Sequence, residues 1–260
     1  MRSIVSTVVA CALCQALPSY AGNAACEVKS GAATAALVEL YTSEGCSSCP
    51  PADRQLSQLR QQLDAGAVMV PLALHVSYWD QIGWKDVFAQ KIFDARQSRL
   101  LANRHSRVMY TPQFFVNGRE LRTWPEDLPG VVRGINARPA PLTITLKLAA
   151  LAGNSVVLEA MAAAPDSQTG GALYLALTES ALVSHVLRGE NSGATLRHDD
   201  TVRLWFGPMP LAQGAARMRQ EIQLPADWNR EHLQAVAFVQ EPGDGTVLQA
   251  VSTAQCSRGL

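Results

Sequence analysis

The sequence predicts an α/β domain followed by a β-rich domain of sandwich-like, mostly antiparallel character. Three observations carry that expectation. An apolar run hands over to a pair of cysteines and then to a helical pattern. Strand and helix patterns go on alternating to about residue 136. Beyond "ARPAPL" at 137–142 the texture changes to short alternating strands separated by turn residues. Length sets no obstacle, because 260 residues hold one large domain or two modest ones. A chain with 48% hydrophobic and 17% charged residues has ample core and is not a disordered one.

Residues 35–41, "AALVELY", read as a buried strand, and "PADRQLSQLRQQL" as a helix with Leu56, Leu59 and Leu63 at helical spacing. "AVMVPLALHVSYW" gives a second strand that runs into an aromatic loop, "SYWDQIGWKD". A helical pattern from Phe88 to about His105 uses Phe88, Ile92, Phe93, Leu100 and Leu101. Its basic residues Lys91, Arg96, Arg99, Arg104 and Arg107 read as a solvated face. In "YTPQFFVNGREL", Asn117-Gly118 signals a hairpin turn between two strands, and "WPEDLPGVVRGINA" offers a last short helix. The order is β-α-β-α-β-β-α. After it come "LTITLKLAAL", "SVVLEAMAA", "ALYLALTES", "TVRLWFG", "ARMRQEIQL", "LQAVAFVQE" and "TVLQAVS", strands at the regular spacing of an antiparallel sandwich.

Residues 1–24 read as a cleaved signal peptide. Arg2 supplies a basic start, "IVSTVVACALCQAL" is apolar but too short to span a bilayer, and Ala21 or Ala24 fits the cleavage rule. The expected organisation is therefore 1–24 as signal peptide, 25–138 as the α/β domain and 139–260 as the β-rich domain. Without Arg2, the 22 basic residues become 21 against 22 acidic ones, a net charge of −1. No long run of one sign suggests nucleic acid, and no later segment is apolar enough to cross a membrane. The expected location is periplasmic or secreted.

Export changes the cysteine arithmetic. Cys26, Cys46, Cys49 and Cys256 remain, with three possible connectivities. Where thiols oxidise, the economical pairing is Cys26 with Cys256 as a structural tie and Cys46 with Cys49 as a local, reducible pair. A C-x-x-C is common by itself; one between a strand and a helix is a stronger signal for redox chemistry. A thiolate at a helix start is stabilised and becomes nucleophilic. Cys46 is then the attacking thiol and Cys49 the resolving one. Pro50 suits a first helical position and pushes Cys49 away from helical geometry. A helix starting there would leave Cys46 one loop away from the dipole. Pro112 stands at a strand start, some sixty residues after the cysteines.

This arrangement resembles the thioredoxin-like plan. "VELYTSEGCSSCPPAD", "HVSYWDQIGWKD", "YTPQFFVNG" and "GENSGATLRHDDTVR" together resemble the secreted bacterial family catalogued as domain of unknown function 1223. The resemblance implies a thioredoxin-like fold, a redox-type C-x-x-C at Cys46 and Cys49, and a cis Pro112 facing that dithiol. Thr111 before it would offer backbone groups to an extended substrate. No settled activity or cofactor comes with the family, and none is expected here. Ser77 stands where an acidic residue would be expected in the "HVSYWD" motif.

Partners of the expected chemistry are protein or small-molecule thiols and disulfides. Trp79, with Tyr78, Trp84, Asp80 and Asp86, could line a groove for an extended peptide. His75 and Asp80 are candidate proton acceptors or ligands. Two readings from another class stand beside the enzyme: a periplasmic copper handler or metallochaperone using Cys46, Cys49 and His75, and a binding protein whose Cys46–Cys49 disulfide is permanent. "RGEN" and "RHDD" could form a second polar site, or a metal site with His185, but read first as solvated hairpin turns. The β-rich half is expected to position partners or to cover the site.

Overall fold

The computed structural model describes residues 25–256; the expected signal peptide at 1–24 lies outside them. The molecule is mostly β-sheet, with three α-helices among the described residues and both mixed and antiparallel sheets. No helix there is long and apolar enough to cross a membrane.

The strands are β1 (Ala25–Lys29), β2 (Ala36–Thr42), β3 (Met69–His75), β4 (Gln113–Val116), β5 (Arg119–Leu121), β6 (Thr143–Leu151) and β7 (Ser155–Ala163). They continue with β8 (Ala172–Glu179), β9 (Leu182–His185), β10 (Thr195–His198), β11 (Thr201–Pro210), β12 (Ala215–Gln223), β13 (Leu233–Gln240) and β14 (Val247–Ser252). The helices are α1 (Pro50–Gln62), α2 (Lys91–Ala102) and α3 (Trp124–Asn136). One eight-stranded sheet runs β14-β13-β8-β11-β3-β2-β4-β5, a four-stranded sheet runs β1-β6-β7-β12, and β9 and β10 form a ribbon of their own.

The large sheet joins strands from both sides of residue 138. Its junction is narrow: β11 runs parallel to β3 through the single pair Thr201–Ala73, reinforced by the Ala73 amide donating to Asp200 O at 2.9 Å. Side-chain alternation divides its two faces. Leu37, Tyr41, Leu72, Phe115, Tyr174 and Phe238 face α2, which contributes Phe93 and Leu100. On the opposite face, Val38, Leu40 and Phe114 meet Leu56 and Leu59 of α1 and Val132 of α3. Farther along that face, Leu173, Leu175 and Leu177 of β8 pack against Leu146, Leu148 and Leu158 of the second sheet, forming a sandwich.

Three local expectations meet the structure in instructive ways. The helix after the cysteines starts at Pro50, yet Cys49 remains in right-handed helical geometry (φ −79°, ψ −37°). Its carbonyl accepts from Ala52 and Asp53, and these first-turn bonds outweigh the bias of a residue that precedes proline. Asn117 (φ 46°) and Gly118 (φ 76°) make the two-residue turn of the β4–β5 hairpin. Arg96, read as part of a solvated face, is instead buried at 5% exposure. Its guanidinium donates to both carboxylate oxygens of buried Glu39 (2.5 and 3.0 Å) and to Gln240 Oε1, beneath the rings of Tyr174, Trp205 and Phe238. A periodicity argument misses it because a paired arginine can occupy a core position.

Candidate active site

β2 ends at Thr42, and the next seven residues carry the chain to α1. The Cys46 amide donates to Ser43 O (3.2 Å) and the Cys49 amide to Cys46 O (3.2 Å), so two tight turns bring the cysteines together. They form a disulfide with Cα atoms 5.4 Å apart. Cys26 and Cys256 form a second one, with Cα atoms 6.0 Å apart. The Thr111–Pro112 peptide is cis. Because Tyr41 pairs with Gln113, Pro112 lies at the sheet end from which the cysteine loop springs, and Thr111 is buried there.

The aromatic loop after β3 packs against the cysteine loop. A Cβ on Gly45 would meet the Trp79 Cβ at 3.5 Å, which places Trp79 directly beside the site. Asp80 is used locally, its Oδ1 accepting from the Asp86 amide at 3.1 Å. Burial lifts the Asp80 carboxyl, opposed by that amide. Ser77, through its amide and hydroxyl, holds both oxygens of Asp94.

Glu44, which carried little signal in the sequence, and Asp86 organise the floor of the site. Glu44 is 1% exposed; its amide donates to Asp86 Oδ2 (2.9 Å), while its carboxylate accepts from Trp84 Nε1 (2.7 Å) and lies 3.2 Å from His198 Nε2. Asp86, 2% exposed, receives His75 Nδ1 at 2.6 Å and the Phe88 amide at 2.8 Å. The rings of His75, His198 and Phe88 meet edge to face at 5.0 to 5.4 Å. His75 thus turns one nitrogen to a carboxylate. Among the described residues no group of three or more His, Cys, Asp or Glu side chains is arranged to hold a metal ion. Asp53, in the first turn of α1, has its carboxyl pushed up by burial against the pull of His75 and His198.

The His75–Asp86 pair gives a pH signature. Burial disfavours the imidazolium, but Asp86, Asp53 and Glu44 outweigh it and hold the His75 pKa above its ordinary 6.5. Burial likewise opposes the Asp86 carboxylate, and His75 outweighs it, so that carboxyl sits below its ordinary 3.8. The histidine contribution is complete below pH 6.5 and disappears as pH rises through the raised value. The aspartate contribution is complete above pH 3.8 and disappears as pH falls through the lowered value. Calorimetric melting from about pH 5 to 9 is expected to show an alkaline decline that flattens in His75→Gln. Parallel curves for the two proteins would remove the pair as its source.

A segment of the β-rich half is fastened to the cysteine loop. At the tip joining β9 to β10, Glu190 Oε2 accepts from the Ser47 amide (3.0 Å) and hydroxyl (2.8 Å). These bonds hold the exposed Glu190 carboxyl below the usual range. Asn191 Nδ2 donates to Glu44 O (2.8 Å) and Cys46 O (2.9 Å). Gly189 packs against Gly83 and Trp84. Cys46 and Cys49 expose no surface, whereas Ser47 and Ser48 between them are exposed. "RGEN" and "RHDD" therefore contribute Glu190, Asn191 and His198 to the site, which their reading as solvated turns did not anticipate. A cleft of about 560 Å³ lies elsewhere, at the Val116 end of β4 among Arg119, Val131, Ile135 and Leu248.

A family model described as "Protein of unknown function (DUF1223)" matches residues 37–240. No curated protein matches the chain. Two solved structures are similar. Protein AGR_C_4864 from Agrobacterium tumefaciens is 23% identical, with a TM-score of 0.60 over 85% of this chain and 94% of that one. HBP35 of Porphyromonas gingivalis is 15% identical, with a TM-score of 0.65 over 86% of this chain and 76% of that one. At such identities the likeness concerns the fold alone.

Proposed function

The chain belongs to the DUF1223 family, and from its site we propose that it is an exported, thioredoxin-like thiol–disulfide oxidoreductase. The observation that carries this reading is the Cys46–Cys49 disulfide, placed where strand β2 hands over to helix α1. The order β2-α1-β3-α2-β4-β5-α3, with Pro112 at the start of β4 beside that handover, supports it. In this reading residues 25–138 carry the chemistry and 139–260 position and cover it. Two disulfides suit an oxidising compartment, hence the periplasm or the exterior after loss of 1–24.

As an oxidant the protein would accept a partner thiolate at Cys46 Sγ. The new bond joins the partner sulfur to Cys46, the Cys46–Cys49 bond breaks, and Cys49 leaves as a thiolate. A second thiolate of the partner then attacks its own sulfur in the mixed disulfide, displacing Cys46. The partner leaves as a disulfide and the protein as a dithiol. Thr111 and Trp79 flank the position the partner would take. His75 and Asp80 lie on the same loop side, but their observed hydrogen bonds are to Asp86, so their part in proton transfer is indirect.

The test is a redox titration of Cys46–Cys49 together with exchange assays on a reduced, unfolded protein substrate. A midpoint above about −270 mV and loss of exchange in Cys46→Ser are expected, with Cys49→Ser accumulating the mixed disulfide on Cys46. A midpoint below about −300 mV marks a permanent bridge and ends the enzyme reading.

A further inference from the structure

We propose that the β9–β10 tip is a lid, and that Glu190 and Asn191 decide what reaches the Cys46–Cys49 disulfide. The inference deepens the oxidoreductase reading and rests on it for its biological meaning, though the lid itself can be tested without any activity.

Four observations converge. Neither Cys46 nor Cys49 has exposed surface, and the tip is bonded to the loop that carries them, at Ser47 and at the Cys46 carbonyl. Four hydrogen bonds fasten the tip, two from Ser47 to Glu190 and two from Asn191 to the carbonyls of Glu44 and Cys46. The tip is held together internally: Val186 N to Ala194 O, Gly193 N to Val186 O, Ser192 N to Gly189 O and Ala194 N to Asn191 O. Finally, β9 and β10 pair only with each other, so the tip can lift without breaking a ladder bond of either large sheet. Below the tip, buried Val186, Leu196 and His198 anchor the ribbon. Gly189 (φ 77°) and Gly193 (φ 83°) bound the segment that would move.

The chemistry on the tip indicates what would open it. Asn191 Nδ2 donates to two backbone carbonyls beside Cys46, the contact an extended peptide makes with its own amides. A polypeptide dithiol can replace those donors while its thiolate reaches Cys46; a small thiol cannot. The lid therefore selects peptide dithiols over free small thiols. In the exchange step the peptide thiolate bonds to Cys46 Sγ, and Cys49 leaves as a thiolate. The peptide's second thiolate then displaces Cys46, leaving an oxidised peptide and a reduced protein.

The experiment measures the second-order rate at which dithiothreitol reduces Cys46–Cys49 in the folded full chain, followed by alkylation and mass analysis. Asn191→Ala and Glu190→Ala each remove two of the four bonds and are expected to accelerate reduction about tenfold. Glu190 is exposed, so its variant keeps the test alive should Asn191→Ala fail to fold. Arg188→Ala alters charge on the same tip without touching those bonds and is expected to stay within about twofold of the parent. In guanidinium all four proteins should react alike. Unchanged rates in both tip variants overturn the lid, as does an Arg188→Ala effect as large as that of Glu190→Ala. If the tip variants accelerate but no peptide dithiol is ever oxidised and no peptide disulfide reduced, the lid stands and the oxidoreductase reading falls.

Discussion

Replacing Arg96 with methionine is expected to cost about 3–5 kcal/mol of folding stability, because it leaves a buried carboxylate without its cation. Glu39 has no exposed surface and sits in the middle of β2; its remaining side-chain partner would be the Tyr41 hydroxyl at 3.4 Å. Arg96 also seals three aromatic rings contributed by β8, β11 and β13. Burial disfavours its charge, but Glu39 outweighs that and holds its pKa above the usual arginine value. The companion test is the pair Glu39→Leu with Arg96→Met, which removes both charges and is expected to recover most of the loss. A urea series should show the midpoint drop in the single variant and its recovery in the double, at similar slope. A double variant as weak as the single one would mean that lost packing, and not the stranded charge, is responsible.

Opening the Cys26–Cys256 disulfide is expected to cost about 2–5 kcal/mol, the upper end matching loop entropy for a closure of this length. The bond spans 230 residues and ties β1, in the four-stranded sheet, to the segment following β14, in the eight-stranded sheet. Cys46 and Cys49 are only three residues apart, so serine at both of those positions removes far less loop entropy. Chemical unfolding of the two serine pairs should therefore rank Cys26/Cys256 clearly below Cys46/Cys49. Equal losses would show that the long-range tie does not constrain the unfolded chain.

Most strands and all three helices were legible because their side chains alternate or recur with the right period. β2 and β8 are mostly apolar and buried at every position, while Leu56 and Leu59 mark the buried stripe of α1. β9 and β10 were not read as strands. Each is four residues long and half exposed, and the tip between them looks like any polar turn. The cysteine pairing followed from position and compartment. The floor did not: Glu44 and Asp86 lie 42 residues apart, His198 another 112 beyond Asp86, and no periodicity reports that three acidic or basic groups will converge. A charged residue two positions before a C-x-x-C, just past the end of a buried strand, was the one available hint. Arg96 was misplaced for a related reason: sequence pattern treats charge as surface, and only the partner on β2 reverses that.

The Cys26–Cys256 bond has a topological meaning as well. It closes the backbone from residue 26 to residue 256 into a covalent ring. A protease that cuts one exposed turn, such as that at 166–170, opens the ring but separates nothing. In an environment rich in proteases, a single nick would leave one molecule of unchanged mass apart from a water, and only reduction would release the halves.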